Sequence, residues 1–430
     1  MSSILICSTP ATGHIAPLSA VARHLVAAGH DVRFLTGTRF RETVEATGAT
    51  FLPLGGIADI DLDNAPDLFP EREGLTGPAA ISFDISNFFL KPIAEQLAAI
   101  DATIADAPVD IILTEPLFVG CAALLARTGP RPRVIALGIV PLGLPSKDVA
   151  PFGLGAPPMA GPLGPARNAI LRFVANRIIF GKVFGETQEA VKRLAGRSLP
   201  AGVLTWYSEC DAIVQFTVPG FEYPRRDLPS TVHFVGPVAR TQASTIALPD
   251  WWDDLDGSRP VVHVTQGTVA NKDFGSLVLP TIEALAKDDV LVVVSTGGRP
   301  VDSLPGSLPA NVRVGEMLPY DRLLPLTSVL VTNGGYGGVH YALENSVPLV
   351  VAGLTEDKIE VTARVGWSGA GINLRTNAPT AEALGVAVRR VLATDSYREA
   401  ATRIGSEITA SPGLAGLDAV LATFTSEPVR

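Results

Sequence analysis

Residues 328–358, SVLVTNGGYGGVHYALENSVPLVVAGLTEDK, govern how the rest of the chain is read. Residues 328–332 and 348–352 are two short apolar runs, each the length of a buried strand. Between them, Asn333-Gly334-Gly335-Tyr336-Gly337-Gly338 predicts a tight turn and residues 339–345 a helix start. Four glycines let the main chain turn sharply and leave N–H groups uncovered, and the helix behind them adds the positive end of its dipole. Strand, glycine turn and helix N-terminus together form a site for phosphate. A plain tight turn between two packed elements is the competing reading, so the remainder of the chain has to decide.

The chain has 430 residues, enough for two or more domains with separate cores. Apolar residues make up 47% and charged residues 18%, the balance of a well-packed protein rather than a disordered one. The net charge is −9 and no basic face is evident, which argues against a nucleic-acid partner. An anionic ligand must therefore be held by local groups. The three cysteines, Cys7, Cys121 and Cys210, lie in or beside apolar runs without metal-like spacing and read as reduced core residues of a cytoplasmic protein. Mean hydropathy is +0.30, yet every apolar run is broken before the 18 or so residues of a membrane span, so no stable membrane insertion is expected. The opening MSSILICSTPATGH lacks a basic segment and reads as a strand, not a signal peptide. The expected state is a monomer or homodimer.

Short apolar runs alternate with longer helical patterns along both halves, the signature of βαβ units on a parallel sheet. In the first half the expected strands are 4–8, 32–36, 50–54, 109–113 and 133–137, with helices at 15–28, 39–47 and 117–127. A long helical pattern over 166–195 and apolar runs at 212–216 and 232–235 follow. The polar, tryptophan-bearing stretch 239–259 is the expected linker. A second series has strands at 261–265, 290–295, 312–314, 329–332 and 349–352, then helices at 381–393 and 397–409. The expected fold is α/β, with two Rossmann-like, doubly wound domains facing a cleft: 1–238, 239–395, and a helical segment 396–430 that packs back on the first domain.

Two stretches interrupt the rhythm. Residues 55–78 form an acidic loop, and residues 141–165 hold seven prolines and five glycines. Long irregular segments at the carboxyl ends of strands are binding loops or disordered connectors. The Asp59-Ile60-Asp61-Leu62-Asp63 alternation suggests a calcium loop, but Asn64 and Pro70 occupy the positions of its glycine and final acid. It reads as a solvated loop.

Taken in order, these features resemble the GT-B family-1 glycosyltransferases, and among them the bacterial enzymes that place sugars on macrolides and other natural products. Gly13-His14-Ile15-Ala16-Pro17-Leu18 carries the resemblance in the first half, and residues 312–370 carry a version of the nucleotide-sugar signature in the second. The resemblance implies that His14 is the general base toward an acceptor hydroxyl and that Glu115, where the family usually has aspartate, orients it. A neutral imidazole at the carboxyl end of a parallel strand, with a pKa near neutrality, suits that role. A carboxylate on its second ring nitrogen would fix the tautomer; a simple loop carboxylate is the rival reading of Glu115. His24, His30 and His340 read as structural or surface residues.

On the donor side, the resemblance implies contacts from Gln266-Gly267-Thr268, Thr296-Gly297, Gly334, Gly335, Gly337 and Gly338, with Asp357 on sugar hydroxyls. The chain departs from the family pattern at several of these positions. Asn333 replaces the phosphate-binding histidine, Tyr341 the ribose-binding glutamate, Lys358 the glutamine after the acid, and Met317 the tryptophan that stacks on the base. Tyr320 replaces the glutamine of a proline–glutamine pair. The choice between a UDP- and a TDP-sugar stays open. The nucleotide sugar is a co-substrate, no cofactor is implied, and no metal motif is found in the donor half.

Ile15, Phe83, Phe88, Phe89 and Pro141 are expected to line the acceptor side, where an apolar, adjustable wall suits a macrolide, ansamycin, other polyketide or phenol; the phenylalanines read equally as helix core. The expected reaction is inverting transfer of a sugar to a hydroxyl of such a molecule. A sugar-nucleotide epimerase and a catalytically silent partner of a glycosyltransferase are the alternatives.

Overall fold

β-branched and aliphatic runs bounded by glycine and proline fold here into two parallel sheets, seen in a computed structural model that describes residues 1–62, 69–75, 77–238, 244–268, 271, 273–304 and 306–425. Asp63 and Asn64 of the acidic loop and the expected domain boundary at 238/239 lie outside the described residues. The first sheet has β1 (Ser3–Cys7), β2 (Asp31–Thr36), β3 (Thr50–Pro53), β4 (Ile111–Thr114), β5 (Arg133–Gly138), β6 (Ala212–Gln215) and β7 (Val232–Phe234) in the order 3-2-1-4-5-6-7. The second has β8 (Val261–Thr265), β9 (Leu291–Ser295), β10 (Val312–Gly315), β11 (Val329–Thr332), β12 (Leu349–Val351) and β13 (Gly371–Asn373) in the order 10-9-8-11-12-13. Both sheets are doubly wound and mixed with helices on either face, the Rossmann-like arrangement.

Both faces of each sheet are buried, which is why the strands read as continuous apolar runs rather than alternating ones. Along β1, Leu5 and Cys7 enter one core while Ile4 and Ile6 enter another. In β9, Val292 and Val294 face one core and Leu291 and Val293 the opposite one. His263, in the middle of β8, is fully buried; its Nδ1 lies 2.8 Å from the Val293 carbonyl, and burial drops its pKa to about 4, so the ring is neutral.

Several elements differ from the sequence reading, among them the helices Ile93–Asp106, Val278–Leu285 and Lys358–Ser368, which it does not contain. β13 has three residues, two of them half-buried, too short and polar to stand out. The helix after the glycine turn begins at Tyr336, not at 339, so Gly337 and Gly338 lie inside its first turn. A further helix, Leu414–Thr425, follows the one at Asp395–Ala410. The Asp395–Ala410 helix packs in the second domain through Ala401, Ile404 and Ile408 and meets the first at Gly220, whose N–H donates to Glu407 Oε2 at 2.8 Å, whereas Leu414–Thr425 crosses to the first and buries Leu417, Val420 and Leu421 in the core that also holds Ile4, Ile6 and Leu18. His24 Nε2 meets Asp418 Oδ2 at 2.8 Å at the edge of that contact. Among the described residues no helix is long and apolar enough to cross a membrane.

Leu417 is completely buried, so Leu417→Ala leaves a cavity between the last helix and the first sheet. It should lower stability by roughly 2–5 kcal/mol, measured as a fall in the urea midpoint.

Candidate active site

In a doubly wound sheet the chain winds away in opposite directions from two central strands, leaving a crevice above their carboxyl ends. In the first sheet those strands are β1 and β4, paired with Cys7 opposite Thr114. The residues that follow each strand are therefore neighbours despite a separation of about a hundred positions. Glu115 is fully buried there and has both oxygens engaged: Oε1 accepts from the Thr9 N–H at 3.0 Å and Oε2 from the Leu117 N–H at 2.6 Å. His14, in the first turn of the Thr12–Ala27 helix, brings Nδ1 to 3.2 Å from Glu115 Oε2, an ion-pair contact rather than an aligned hydrogen bond.

Burial would push the Glu115 carboxyl up, but the His14 imidazole and the Thr9 and Leu117 bonds outweigh it and hold it below the ordinary glutamate value. For His14, burial works downward, and Glu115 outweighs it with smaller pulls from Asp357 and Glu356, so its pKa is raised. Those last two residues belong to the second domain. The His14 ring thus sits within electrostatic reach of the segment expected to hold the sugar.

The second sheet has its own crevice between β8 and β11. Asn333 Nδ2 spans it and donates to the Gln266 carbonyl at 2.7 Å, so an amide expected to face phosphate ties the two strand ends together instead. The Gln266 side chain is also turned inward: Nε2 donates to the Asp273 carbonyl and Oε1 accepts from the Val278 N–H, at the start of the Val278–Leu285 helix. Thr296 is fully buried and its hydroxyl donates to the Arg299 carbonyl, which shapes the turn rather than offering the hydroxyl to a ligand. At Gly297 a side chain is impossible, since a Cβ would lie 2.1 Å from the Gly267 carbonyl oxygen. Asn271 Nδ2 clasps the same turns by donating to the carbonyls of Thr296 and Gly297 at 2.9 and 3.1 Å. No spacing or motif marks Asn271 in the sequence.

Around this crevice, Thr268 and Met317 are exposed, and the Met317 sulfur lies beside Gly298. Gly335 caps the Tyr336–Glu344 helix, and Gly337 and Gly338 leave open space over its N-terminal turn. Tyr341 is half-buried and packs edge-on to Tyr320 at 6.0 Å between ring centres. Asp357 precedes the Lys358–Ser368 helix; burial pushes its carboxyl up against the pull of the Lys358 ammonium. Lys358 is buried and ion-paired with Glu356.

The acceptor-side expectations divide. Ile15 is 1% exposed and packs with Ile4 and Ile6 in the core, because one helical step of about 100° turns it away from the crevice that His14 faces. It is a packing residue, not an acceptor contact. Phe83, Phe88 and Phe89 join Phe69 in a cluster of edge-to-face rings, with Phe88 buried and Phe89 packed on the first core. Pro141 is buried at the start of the proline- and glycine-rich loop. Among the described residues, no group of three or more His, Cys, Asp or Glu side chains is placed to hold a metal ion.

Residues 280–419 match the family described as erythromycin biosynthesis protein CIII-like, C-terminal domain. The chain is 41% identical to 4'-demethylrebeccamycin synthase of Lentzea aerocolonigenes, over 95% of this chain and 96% of that protein. It is 35% identical to UDP-glycosyltransferase 2 of Phaeomoniella chlamydospora, over 96% and 93% of the two chains. Its fold is similar to that of CalG4, the calicheamicin glycosyltransferase, with a TM-score of 0.75 and 20% identity over 99% of both chains. A carboxylate-held histidine at one switch point, a glycine turn at the other and this full-length similarity lead to one conclusion: the chain belongs to the natural-product glycosyltransferases of GT-B fold, the family of 4'-demethylrebeccamycin synthase.

Proposed function

We propose that this enzyme transfers a sugar from a nucleoside diphosphate to a hydroxyl of a hydrophobic natural product, with inversion at the anomeric carbon. The observation that carries the reading is the His14–Glu115 pair, built on the first domain and electrostatically coupled to Asp357 of the second. Nδ1 of His14 faces Glu115, which leaves Nε2 as the basic nitrogen. The acceptor oxygen attacks the anomeric carbon as its proton passes to His14 Nε2, and the bond from that carbon to the diphosphate oxygen breaks. The departing diphosphate takes the electron pair, and the N–H groups of the first turn of the Tyr336–Glu344 helix offset its charge. One base and one leaving group suffice for a single displacement.

A nucleotide donor is supported by the relative named UDP-glycosyltransferase 2 and by the similar fold of a spinosyn rhamnosyltransferase solved with thymidine diphosphate. A hydrophobic natural-product acceptor is supported by the relative named 4'-demethylrebeccamycin synthase.

His14→Ala should lower kcat by roughly 100- to 10,000-fold, the range of a lost general base, and leave the affinity for UDP unchanged; unaltered turnover would exclude His14 as the base. Glu115→Gln removes the largest upward influence on His14, so the acid limb of kcat/KM should move to lower pH while the maximum rate falls, and an NMR titration of the ring should follow the same direction. Gly338→Asp meets no steric obstacle, and an acid in a first helical turn favours the helix. It should keep the melting temperature yet weaken UDP binding at least about tenfold, as a like charge a few Å from the ligand would. Undiminished UDP affinity in calorimetry would place the diphosphate elsewhere.

A further inference from the structure

The loop 141–165 belongs to the first domain, yet its middle is fastened to the second. Gly153 and Gly155 both have positive φ, and both donate their N–H to one oxygen, Oε1 of Glu360, at 2.8 and 2.9 Å. Glu360 is buried in the Lys358–Ser368 helix, one turn behind Asp357. Its other oxygen, Oε2, accepts from Arg364 at 2.8 Å. Arg364 is itself 1% exposed and donates through Nη2 and Nε to Glu222 Oε1 of the first domain at 2.6 and 3.0 Å. Glu222 Oε2 accepts from the N–H of Leu142 at 3.0 Å, at the entry of the same loop. The loop is therefore held at its start and its middle by two carboxylates that share one buried guanidinium.

We propose that Glu360 is a positioning residue of the transfer reaction: it seats the acceptor-side loop of the first domain on the helix that presents Asp357 to the sugar, so that acceptor wall and sugar site form together. The proposal rests on the transfer reading given above. Two left-handed glycines flanking Leu154 turn a pair of N–H groups to one side, where they attract an anion, and here the anion is a side chain from the opposite domain. The contact is close as well as charged, since a Cβ at Gly155 would lie 2.7 Å from Ile359 Cγ1 and 2.9 Å from its carbonyl oxygen. Sugar-side contacts made by Asp357 do not pass through this loop. Loss of the clamp should act on the acceptor and spare the donor.

Two variants break the clamp from opposite sides. Glu360→Ala removes the carboxylate, and Gly155→Ala pushes the loop off the helix without touching the Arg364–Glu222 pair. In hydrogen exchange, the peptide 150–156 should be protected in the native enzyme and exchange at least about tenfold faster in either variant, the scale of a lost charge-assisted hydrogen bond. With UDP-glucose and 2-naphthol as substrates, both variants should raise the KM for 2-naphthol by a similar factor and leave the KM for UDP-glucose unmoved. The proposal is overturned if the native peptide exchanges like free loop, if the acceptor KM does not change, or if both KM values rise together. Absence of turnover in the native enzyme would overturn the transfer reading and the acceptor role with it, whereas the exchange rates would still report whether the clamp exists.

Discussion

A parallel sheet wound outward from two central strands cannot cover the carboxyl ends of those strands with its own connections, and the whole site follows from that gap occurring twice. In the first sheet the gap receives His14 from the first turn of the helix after β1 and Glu115 from the loop after β4; in the second it receives the turns after β8 and β11. The pairings Cys7 to Thr114 and Thr332 to Thr265 bring distant segments within hydrogen-bonding distance without any sequence motif for contact. Catalytic geometry is here a by-product of strand order.

Charge is handled sparingly. The chain carries a net charge of −9, and Arg364, buried in the Lys358–Ser368 helix, is committed to Glu222 and Glu360. Lys358 is likewise paired with Glu356. Main-chain N–H groups at the start of the Tyr336–Glu344 helix are a weaker source of positive potential than a guanidinium, but one fixed in place before any ligand arrives. The same economy appears at Glu115, whose carboxylate is stabilised by two amide groups as well as by His14.

The two-sheet architecture was legible because buried parallel strands are uninterrupted apolar runs: the runs at 261–265 and 329–332 coincide with β8 and β11. That His14 and Glu115 lie together was legible from their places after strands, together with the family resemblance. Roles assigned by chain neighbourhood were less secure. Ile15 follows His14 in sequence but turns into the core, and Gln266 and Thr296 sit at the right strand ends while bonding inward. The four-residue spacing of Glu360 and Arg364 is a helical ion-pair signal, but their ties to Glu222 and to Gly153 and Gly155, like those of Asn271 to Thr296 and Gly297, join segments far apart along the chain and only the folded arrangement pairs them.

The final helix has a consequence for how the two domains can be exchanged. The chain leaves the first domain just after Val235 and returns to it at Gly413, and the Gly413 N–H donates to the Val235 carbonyl at 2.6 Å. Both crossings therefore pass through one point. Exchanging the second domain between related enzymes by a cut in the linker would also carry a foreign Leu414–Thr425 helix onto the first sheet, where Leu417, Val420 and Leu421 must fit a surface they did not evolve against.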